Sequence, residues 1–432
     1  MEKHLSSKKK TRQKRILSLG LGQSNFLIQL YSELERRDNS LSFSIDSVME
    51  IGENTNSNSF FENIYNFSPY QVSRSNRRRY CIPLLLSLTF WQLCLFERSL
   101  DPSSFRFIPF YLRQLNTYAL VRKHILPLKF DIHHFHYCTK EHLKYLVYFP
   151  KKSNTICSFW GSDLYRNNSR KNNFYVEKAL KNASKITIQT SEMADFLLQK
   201  HGDSLSHKII IAQFVLDLNV FKSIDTYRDK IELLYDFKDQ LGIEKGHIVL
   251  GVGYNANKAF NHIEILKQVH KLDKTLKQKI TCVLSLTYGR KEPYLKTLKE
   301  EISKYDFNIV CLHDYLDSQA ISKLRLITDI QIQLPVSDAL SSSVTEVLYA
   351  GNNVIAGSWL PYEIYERNNI ELSSVDSVEE LSDTLASLIL TINNNLMDIN
   401  KRKKKIEKVF FPEKTSRQWL DMYHSLFKRN IF

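Results

Sequence analysis

The chain has 432 residues, of which 43% are hydrophobic and 25% are charged, with only 12 glycines and 10 prolines. This length predicts two or three domains, and the composition excludes a disordered chain, a collagen-like repeat and long flexible linkers. The formal net charge of +14 favours an anionic partner, which leaves a phosphate-bearing substrate, a nucleic acid or an acidic lipid.

The six cysteines form no CxxC pair, and most of them lie in apolar segments. This pattern favours reduced thiols in a cytoplasmic protein over a disulfide framework or a zinc site. The first residues of the chain are charged and lack the apolar core of a signal peptide. We therefore expect residues 1–14 to be a basic arm.

The first predicted strand, Arg15 to Gly20, is followed by a glycine-rich turn and by a helix over residues 25–36. Such a turn lets the backbone approach a ligand closely, and the start of a helix favours anions. We therefore take Gly22 as a candidate ligand contact. The sequence lacks the third glycine of a dinucleotide fingerprint, so a plain tight turn is the alternative interpretation.

Residues 80–96 form an apolar segment that directly follows Arg77 to Arg79. A membrane-spanning helix needs about 20 strongly apolar residues, so this shorter segment, which contains Pro83 and Gln92, is a poor candidate. Two interpretations stay open. We place a buried core helix first, and the alternative is an interfacial helix whose arginines meet lipid phosphates.

The next informative strand is Phe130 to Tyr137, in which alternation places His134 and His136 on one face at the carboxyl end. The neighbouring sequence offers no cysteine or carboxylate with convincing metal-ligand spacing, so we expect no metal at this position. We expect a neutral His136 to form a hydrogen bond with a sugar or a phosphate, and we also consider it as a catalytic base.

A strand over residues 155–160 is followed by Gly161, which permits a tight turn, and by Asp163. The side chain of Asp163 could accept a proton from a hydroxyl group of the substrate, or it could hold a sugar. The alternative interpretation is that Asp163 only caps a short helix.

Short strands alternate with amphipathic helices along the whole chain, which predicts βαβ units and a parallel sheet. A polar segment over residues 222–246 interrupts this series and is a candidate hinge. The sequence therefore predicts an α/β protein with two doubly wound halves, at residues 15–222 and 223–412, and a last helix over 413–432 that packs back on the first half. The other predicted strands are at residues 43–51, 185–190, 208–214, 247–253, 280–286, 308–312, 329–334 and 353–356.

The second half contains a polar loop between a strand that ends near residue 334 and a helix that starts near Ser343. Ser341, Ser342 and Ser343 surround the start of this helix, whose unpaired N–H groups favour a diphosphate. Glu346, in the first turns of the helix, could accept hydrogen bonds from a ribose diol. Asp338 lies in the loop, at a position where a sugar ring could bind.

Three further residues follow strands of the second half, where ligands bind in open parallel sheets. Asn255 follows the first strand of this half, and Arg290 and Lys291 follow the second one. The two cations could pair with phosphate groups. A solvated loop is an equally simple explanation for them, since runs of charge are usually exposed.

These motifs resemble glycosyltransferases of the GT-B type, which have two Rossmann-like domains facing each other across a cleft. The spacing Asp338-x7-Glu346 resembles the Glu-x7-Glu motif of retaining family-four transferases, in which the first carboxylate contacts the donor sugar and the second contacts the ribose. The strand Asp131 to Tyr137 is similar to their Asp-x-x-His-x-His strand, and Asp217 to Phe221 is similar to the segment that closes their first domain.

The chain also departs from that pattern, because Asp338 replaces the first glutamate and residues 253–258 lack the usual diphosphate arginine. Residues 159–166 and 251–257 look more like transferases of 4-acetamido-4,6-dideoxygalactose, of the enterobacterial common antigen type. Those enzymes invert the anomeric centre and act on undecaprenyl-linked intermediates. The two resemblances imply different stereochemical outcomes, so the sequence leaves both open.

Together the resemblances imply a bacterial enzyme of envelope polysaccharide synthesis that is peripheral on the inner face of the cell membrane. Its expected partners are a nucleoside diphosphate sugar, a lipid-linked acceptor and an anionic membrane, with no metal cofactor and no nucleic acid. Asp163, His136 and Asp338 are the expected catalytic residues, and Glu346→Ala is expected to abolish turnover with an intact fold. The alternatives are a catalytically inactive GT-B subunit, a GT-B epimerase and a basic nucleic-acid-binding protein, although the sequence contains no helix-turn-helix, zinc finger or RNP-type motif.

Overall fold

The structure is a computed structural model that describes residues 13–46, 60–67, 72–392 and 398–428. Most of the predicted basic arm and the end of the second predicted strand lie outside these residues. The chain forms two compact units. The first unit contains the residues up to Gln213 and those from Ser416 onward, and the second unit contains Phe214–Thr415.

The first unit is built on a sheet of seven parallel strands in the order β3-β2-β1-β4-β5-β6-β7. The chain moves in one direction from β1 to β3 and in the other from β4 to β7, so a crevice forms where β1 and β4 lie side by side. The strands are β1 Lys14–Leu19, β2 Leu41–Asp46, β3 Ile64–Tyr65, β4 Ile132–His136, β5 Thr155–Ser158, β6 Lys185–Ile188 and β7 Ile209–Ile211.

The helices of the first unit cover this sheet with their apolar faces. The first of them begins where the Ser24 side chain accepts the N–H of Leu27, and its buried side chains recur at helical spacing. The helices are α1 Asn25–Arg37, α2 Arg74–Leu85, α3 Leu88–Leu100, α4 Phe107–Leu120, α5 Lys140–Leu143, α6 Ser162–Tyr165, α7 Arg170–Asn182 and α8 Ser191–His201. A π-helical turn, Val121–Ile125, continues α4.

The second unit has a sheet of six parallel strands in the order β10-β9-β8-β11-β12-β13. Its strand order reverses at β8, so the equivalent crevice lies between β8 and β11. The predicted fold class, α/β with two doubly wound parallel sheets, is therefore confirmed. The strands are β8 Ile248–Val252, β9 Ile280–Ser285, β10 Asn308–Leu312, β11 Ile330–Gln333, β12 Asn353–Gly357 and β13 Ser373–Val375.

The helices of the second unit include one that is almost completely buried, because all of its residues from Ser343 to Ala350 are buried. Residues 222–246, the candidate hinge, contain helical turns that pack within this unit. The helices are α9 Leu218–Tyr227, α10 Ile231–Gln240, α11 His262–His270, α12 Lys274–Lys277, α13 Glu292–Ile302, α14 Ser318–Ile327, α15 Ser342–Ala350, α16 Glu363–Arg367, α17 Leu381–Thr391 and α18 Ile399–Phe410.

The last helix, α19 (Pro412–Phe427), contributes its residues from Ser416 onward to the first unit. The indole N–H of Trp419 donates to the carbonyl oxygen of Gln213 over 2.8 Å, and the hydroxyl of Tyr423 lies 2.7 Å from Nδ1 of His134. Both rings are buried. The C-terminal helix is therefore part of the packing beneath strand β4.

The apolar segment 80–96 forms the end of α2 and most of α3. Within the residues that the structure describes, no single helix is long and apolar enough to cross a membrane. By length and composition alone, the two helices over 76–85 and 88–100 qualify as a pair, with a bend of 78° between them.

Candidate active site

The crevice of the second unit brings together the loops that follow β8, β9 and β11. The backbone N–H of Ala256 donates to the carbonyl oxygen of Tyr288 over 2.8 Å, which joins the first two loops. The hydroxyl of Tyr254 donates to Asp338 over 3.2 Å, which joins the first and third loops. Polar side chains from distant parts of the sequence therefore meet at the carboxyl edge of this sheet.

Asp338 is the centre of this arrangement, because its carboxylate accepts four hydrogen bonds. Oδ1 accepts from the Tyr254 hydroxyl and from the N–H of Ala339 over 2.9 Å. Oδ2 accepts from the Gln333 amide over 2.8 Å and from the Tyr362 hydroxyl over 3.0 Å. A carboxylate has about four acceptor positions, so the geometry fixes the Asp338 side chain firmly.

Burial is the largest influence on the Asp338 carboxyl, and it raises the pKa of this group above its ordinary value, although the four hydrogen bonds oppose the shift. Tyr288 is 51% exposed, yet partial removal of its hydroxyl from water raises its pKa to about 12, while a hydrogen bond with Asn255 opposes the rise and the charges of Asp338 and Glu346 add to it. The Tyr288 hydroxyl group therefore responds electrostatically to both carboxylates of the predicted motif.

The start of helix α15 carries the three predicted serines. Ser342 is exposed, whereas Ser341 and Ser343 are buried and their hydroxyl oxygens lie 2.8 Å apart. In the described structure the Ser341 side chain accepts no N–H group of this helix. The first N–H groups of a helix have no acceptor inside the helix, so this end can receive an anion.

Glu346 follows on the same helix and forms a buried ion pair with Arg325 of α14. Nε of Arg325 donates to Oε2 of Glu346 over 2.9 Å, and the two side chains are only 10% and 9% exposed. Removal of Glu346 would leave the guanidinium group buried without its counter-ion, which is strongly destabilising. We therefore expect Glu346→Ala to destabilise the second unit in addition to any effect on turnover.

Asn255, Arg290 and Lys291 differ in their accessibility. Asn255 is buried, and its side-chain oxygen accepts the N–H of Asn257 over 2.9 Å. Arg290 and Lys291 are exposed, and Nε of Arg290 donates to the carbonyl oxygen of Leu286 over 2.8 Å. Nε of Arg290 thus holds the loop that follows β9. Among the described contacts, the two terminal NH₂ groups of Arg290 are left for another partner.

The crevice of the first unit depends on a close approach between the end of β1 and strand β4. Gly20 has φ 119°, and a Cβ atom at this position would lie 2.2 Å from the carbonyl oxygen of His136. Gly22 also has a positive φ, 57°, and its carbonyl oxygen accepts the N–H of Ser24. Gly22 belongs to the first unit, whereas the other predicted donor contacts belong to the second.

His136 lies in the interior of the first unit, in a network of aromatic and hydroxyl groups. Its Nε2 atom is 2.6 Å from the hydroxyl of Tyr31, and its ring centroid lies 3.9 Å from that of His134, with the two rings tilted by 33°. Burial lowers the pKa of His136 to about 3, so the imidazole is neutral. Its Nδ1 atom has no hydrogen-bond partner among the described residues.

Asp163 joins the loops that follow β4 and β5. Its Oδ2 atom accepts the N–H of Cys138 over 2.7 Å, and its Oδ1 atom accepts those of Trp160 and Leu164 over 2.8 and 3.1 Å. Burial raises the pKa of the carboxyl to about 6, and these hydrogen bonds from the backbone oppose the rise. The side chain therefore holds two strand-end loops in place.

The variant Asp163→Asn is expected to lose about 1–3 kcal/mol of unfolding free energy at pH 7. The amide has one oxygen, so its NH₂ group would face either the N–H of Cys138 or that of Trp160. Urea unfolding measures the loss, and an unchanged midpoint would contradict it.

The same substitution should remove a pH dependence. The pKa of Asp163 is about 6 in the folded state, against about 3.9 in an unfolded chain, so the folded state retains a proton that the unfolded state releases. The stability that this group contributes is complete below pH ~4 and is lost as the pH rises to ~6. In Asp163→Asn this decrease of the unfolding free energy with rising pH should be absent.

The first unit also contains a cavity of about 440 Å³ beside the loop that follows β4. Four cations line it, Arg113, Lys140, Lys144 and Lys171, together with the carboxylates of Glu97 and Glu141. Nζ of Lys171 lies 2.5 Å from Glu97. Burial lowers the pKa of Lys140, and the charge of Lys171 lowers it further. The cavity is therefore suited to an anionic group.

Sequence reasoning missed several residues of these sites. Arg325, Gln333 and Tyr362 bond the two motif carboxylates, yet they lie on other elements of the second unit. The signal for Arg325 was weak, since it is a single charge on the buried face of α14. In the ranges that the structure describes, no group of three or more His, Cys, Asp or Glu residues could hold a metal ion.

Solved structures similar to this chain share its architecture at low sequence identity. The N-terminal domain of trehalose-6-phosphate phosphatase from Candida albicans has a TM-score of 0.64 at 13% identity, over 95% of this chain and 97% of that chain. HepE from Anabaena in complex with UDP-glucose gives 0.63 at 12% identity, over 95% and 99%. A UDP-forming trehalose-phosphate synthase from Burkholderia vietnamiensis gives 0.59 at 11%, over 96% and 100%.

No protein-family model matches the sequence, and no curated protein matches it. The likeness to the solved structures extends over nearly the whole chain in each case and shows the fold. The protein therefore has the GT-B architecture, with two Rossmann-like α/β units.

Proposed function

We propose that this protein is a glycosyltransferase that moves a sugar from a nucleoside diphosphate sugar to a lipid-linked glycan acceptor in bacterial envelope polysaccharide synthesis, on the inner face of the cell membrane. The observation that carries the proposal is the crevice between β8 and β11. There a fixed Asp338, the start of α15 and Glu346 lie on one loop and one helix.

The donor would bind along this loop and helix. The diphosphate would accept hydrogen bonds from the start of α15 and from the hydroxyls of Ser341, Ser342 and Ser343, because this helix end is positive and carries no side-chain cap within the described structure. Oε2 of Glu346 bonds Arg325, which leaves Oε1 to accept hydrogen bonds from the ribose diol. Asn255 lies buried beside Tyr288 and would face the same ligand.

The sugar would bind at Asp338. All four acceptor positions of this carboxylate are in use, and the bond from Tyr254 is the longest at 3.2 Å. A sugar hydroxyl would replace the Tyr254 hydroxyl at Oδ1. Because the tyrosine hydroxyl can rotate, this exchange would leave no buried donor without a partner.

In the reaction, the bond between the anomeric carbon and the diphosphate oxygen breaks, and a bond to the acceptor oxygen forms. The start of α15, Arg290 and Lys291 would stabilise the charge on the departing diphosphate, so the proposal includes no metal cofactor. The proton of the acceptor hydroxyl passes to the leaving phosphate oxygen in a retaining reaction. In an inverting reaction it passes to a base, for which Asp163 and His136 are the proposed candidates.

The acceptor would bind the first unit, where Gly22 adds backbone contacts at the β1–β4 crevice. The cavity lined by Arg113, Lys140, Lys144 and Lys171 supports an acceptor that carries phosphate. A lipid diphosphate has this chemistry. The lining carries four cations against the carboxylates of Glu97 and Glu141, so its net charge favours such a ligand over a neutral oligosaccharide.

The test is the variant Asp338→Asn, assayed with the donor that a thermal-shift panel of nucleotide sugars identifies. We expect the transfer rate to fall about 10²–10³-fold, the size of effect seen when one transition-state contact is removed. The melting temperature should change little, because the new amide can keep its oxygen on the N–H of Ala339 and turn its NH₂ group toward Tyr362 and Gln333. The Tyr362 hydroxyl can rotate, and a flip of the Gln333 amide presents its oxygen, which has no partner among the described residues.

The matched control is Asp383→Asn, which removes an exposed carboxylate of the same unit and should leave the rate unchanged. A rate of Asp338→Asn within about threefold of the wild type would contradict a transition-state role, for which losses of 10²-fold are usual. If no nucleotide sugar is bound or hydrolysed by the wild type, the enzymatic proposal itself is wrong, and an inactive subunit becomes the better description.

A further inference from the structure

Helix α3 has two apolar faces, and only one of them packs against the protein. Phe90 and Leu93 are completely buried. Leu88, Trp91 and Leu95 recur at helical spacing on the other side, and Leu88 and Leu95 are 72% and 65% exposed. Several large apolar side chains exposed side by side on one helix usually mark an interaction surface, so this second face requires an explanation beyond the core.

The exposed apolar side chains continue from α3 onto both neighbouring helices. The ring of Trp91 stacks on that of Phe107 at the start of α4, with the centroids 6.3 Å apart. Ile108 is 69% exposed beside it, and Leu86, at the end of α2, is 81% exposed. We call these exposed side chains of α2, α3 and α4 the apolar surface. Nothing in the described part of the chain covers it.

The charge beside the apolar surface is strongly positive. Residues 74–120, which contain α2, α3 and α4, carry seven arginines against two acidic residues. Arg77, Arg78 and Arg79 are consecutive and exposed, and they lie on α2 within two turns of its apolar end. An apolar surface beside a group of arginines complements a membrane leaflet, which offers hydrocarbon under anionic phosphates.

We propose that the apolar surface docks onto an anionic lipid bilayer, with Leu86, Leu88 and Leu95 in the interface and Arg77 to Arg79 against lipid phosphates. Helix α3 has 13 residues, so it is about 20 Å long and shorter than the hydrocarbon core. Its other face belongs to the protein interior. The helix therefore lies in the plane of the interface. This inference rests on the membrane location in the proposed function and gives it a surface. It needs no donor or acceptor, so its failure would remove that location and leave the proposed glycosyl transfer standing.

The experiment is flotation of the full chain with vesicles of phosphatidylglycerol and phosphatidylcholine. Leu88→Ser/Leu95→Ser should weaken the partitioning at least about tenfold, because two apolar side chains leave the interface. The control is Ile231→Ser/Leu390→Ser, which removes two equally exposed side chains of the second unit, 60% and 70% accessible. The control should bind as the wild type does. All four positions are exposed, so both variants should fold.

The charged part of the surface is tested separately. Replacing Arg77, Arg78 and Arg79 with glutamine should weaken the partitioning about fivefold per arginine, since each contributes about 1 kcal/mol near an anionic leaflet. Raising the salt concentration should mimic this loss in the wild type and should have little effect on the triple variant. Equal binding of the wild type to purely zwitterionic vesicles would overturn the electrostatic part of the proposal.

The depth to which the apolar surface enters the bilayer is measured by quenching of Trp91 fluorescence with brominated acyl chains. The wild type should be quenched, and Trp91→Phe should lose most of the quenching, because the other tryptophans, Trp160, Trp359 and Trp419, lie outside α2, α3 and α4. If the wild type does not float, the proposal is wrong. If sedimentation instead shows a dimer that Leu88→Ser/Leu95→Ser dissociates, the apolar surface is an interface between two copies, which also overturns docking on lipid.

Discussion

Glu346→Ala is expected to lower the free energy of unfolding by about 3–5 kcal/mol, in addition to any effect on turnover. The reason is the buried partner. Nε of Arg325 donates to Oε2 of Glu346, and both side chains are about nine-tenths inaccessible. Without the carboxylate, the guanidinium group stays out of water and has no counter-charge. Urea unfolding of the purified variant measures the loss.

The double variant Glu346→Ala/Arg325→Met should recover most of that loss. A methionine fills much of the space of the arginine stem, and replacing a buried ion pair with apolar side chains is often neutral. The control is Glu363→Ala, which removes the partner of Arg367 from an ion pair that is more than half exposed. Exposed pairs contribute at most about 1 kcal/mol, so the control should cost little. A double variant as unstable as Glu346→Ala would refute the explanation.

This result also bears on how an inactive Glu346 variant is interpreted. A loss of turnover in Glu346→Ala combines a missing ribose contact with a weakened second unit. Glu346→Gln separates the two, because its amide oxygen can still accept from Arg325 while the charge is lost. The Asp338→Asn variant avoids the difficulty, since the partners of Asp338 are hydroxyl, amide and N–H groups.

The alternation of strands and helices was readable from the sequence because it depends on local patterns. Strands such as Ile248–Val252 and Ile280–Ser285 are apolar runs between helices with amphipathic spacing. The strands Ile64–Tyr65 and Ser373–Val375 were missed. Each has only two or three residues, so neither alternation nor a continuous apolar run can be recognised in them.

The candidate site was predictable only where its residues are neighbours in sequence. Asp338, the three serines and Glu346 share one loop and one helix, so their spacing defines a motif. Their partners come from other elements, because the sheet order brings β8 beside β11. Spacing says nothing about such partners. The bonds of Tyr254, Tyr362 and Arg325 therefore became visible only with the fold.

Helix α3 shows a different limit of sequence analysis. Its apolar side chains lie on two faces, so the sequence gives no clear periodicity to separate a core helix from an interfacial one. The structure buries Phe90 and exposes Leu88, so the core interpretation holds for one face only, and the interfacial interpretation stays a proposal. Only the packing of α4 against one side decides which face is internal.

Gly20→Ala is expected to lower the free energy of unfolding by at least about 3 kcal/mol, as a steric effect on strand β4 adds to an unfavourable backbone conformation. Gly20 has φ 119°, where residues with a side chain are strained. The new Cβ atom would lie 2.2 Å from the carbonyl oxygen of His136, so β1 and β4 would have to separate at the crevice.

The matched control is Gly202→Ala, in the same unit. Its φ is 104°, close to that of Gly20, but the nearest atom to a new Cβ would be Oγ of Ser204 at 4.0 Å. The control therefore has the backbone strain without the clash, and we expect a loss of about 1–2 kcal/mol. The difference between the two variants, measured by urea unfolding, isolates the close approach of β1 and β4. If the two variants lose the same free energy of unfolding, the close contact between β1 and β4 is not the reason that position 20 requires glycine.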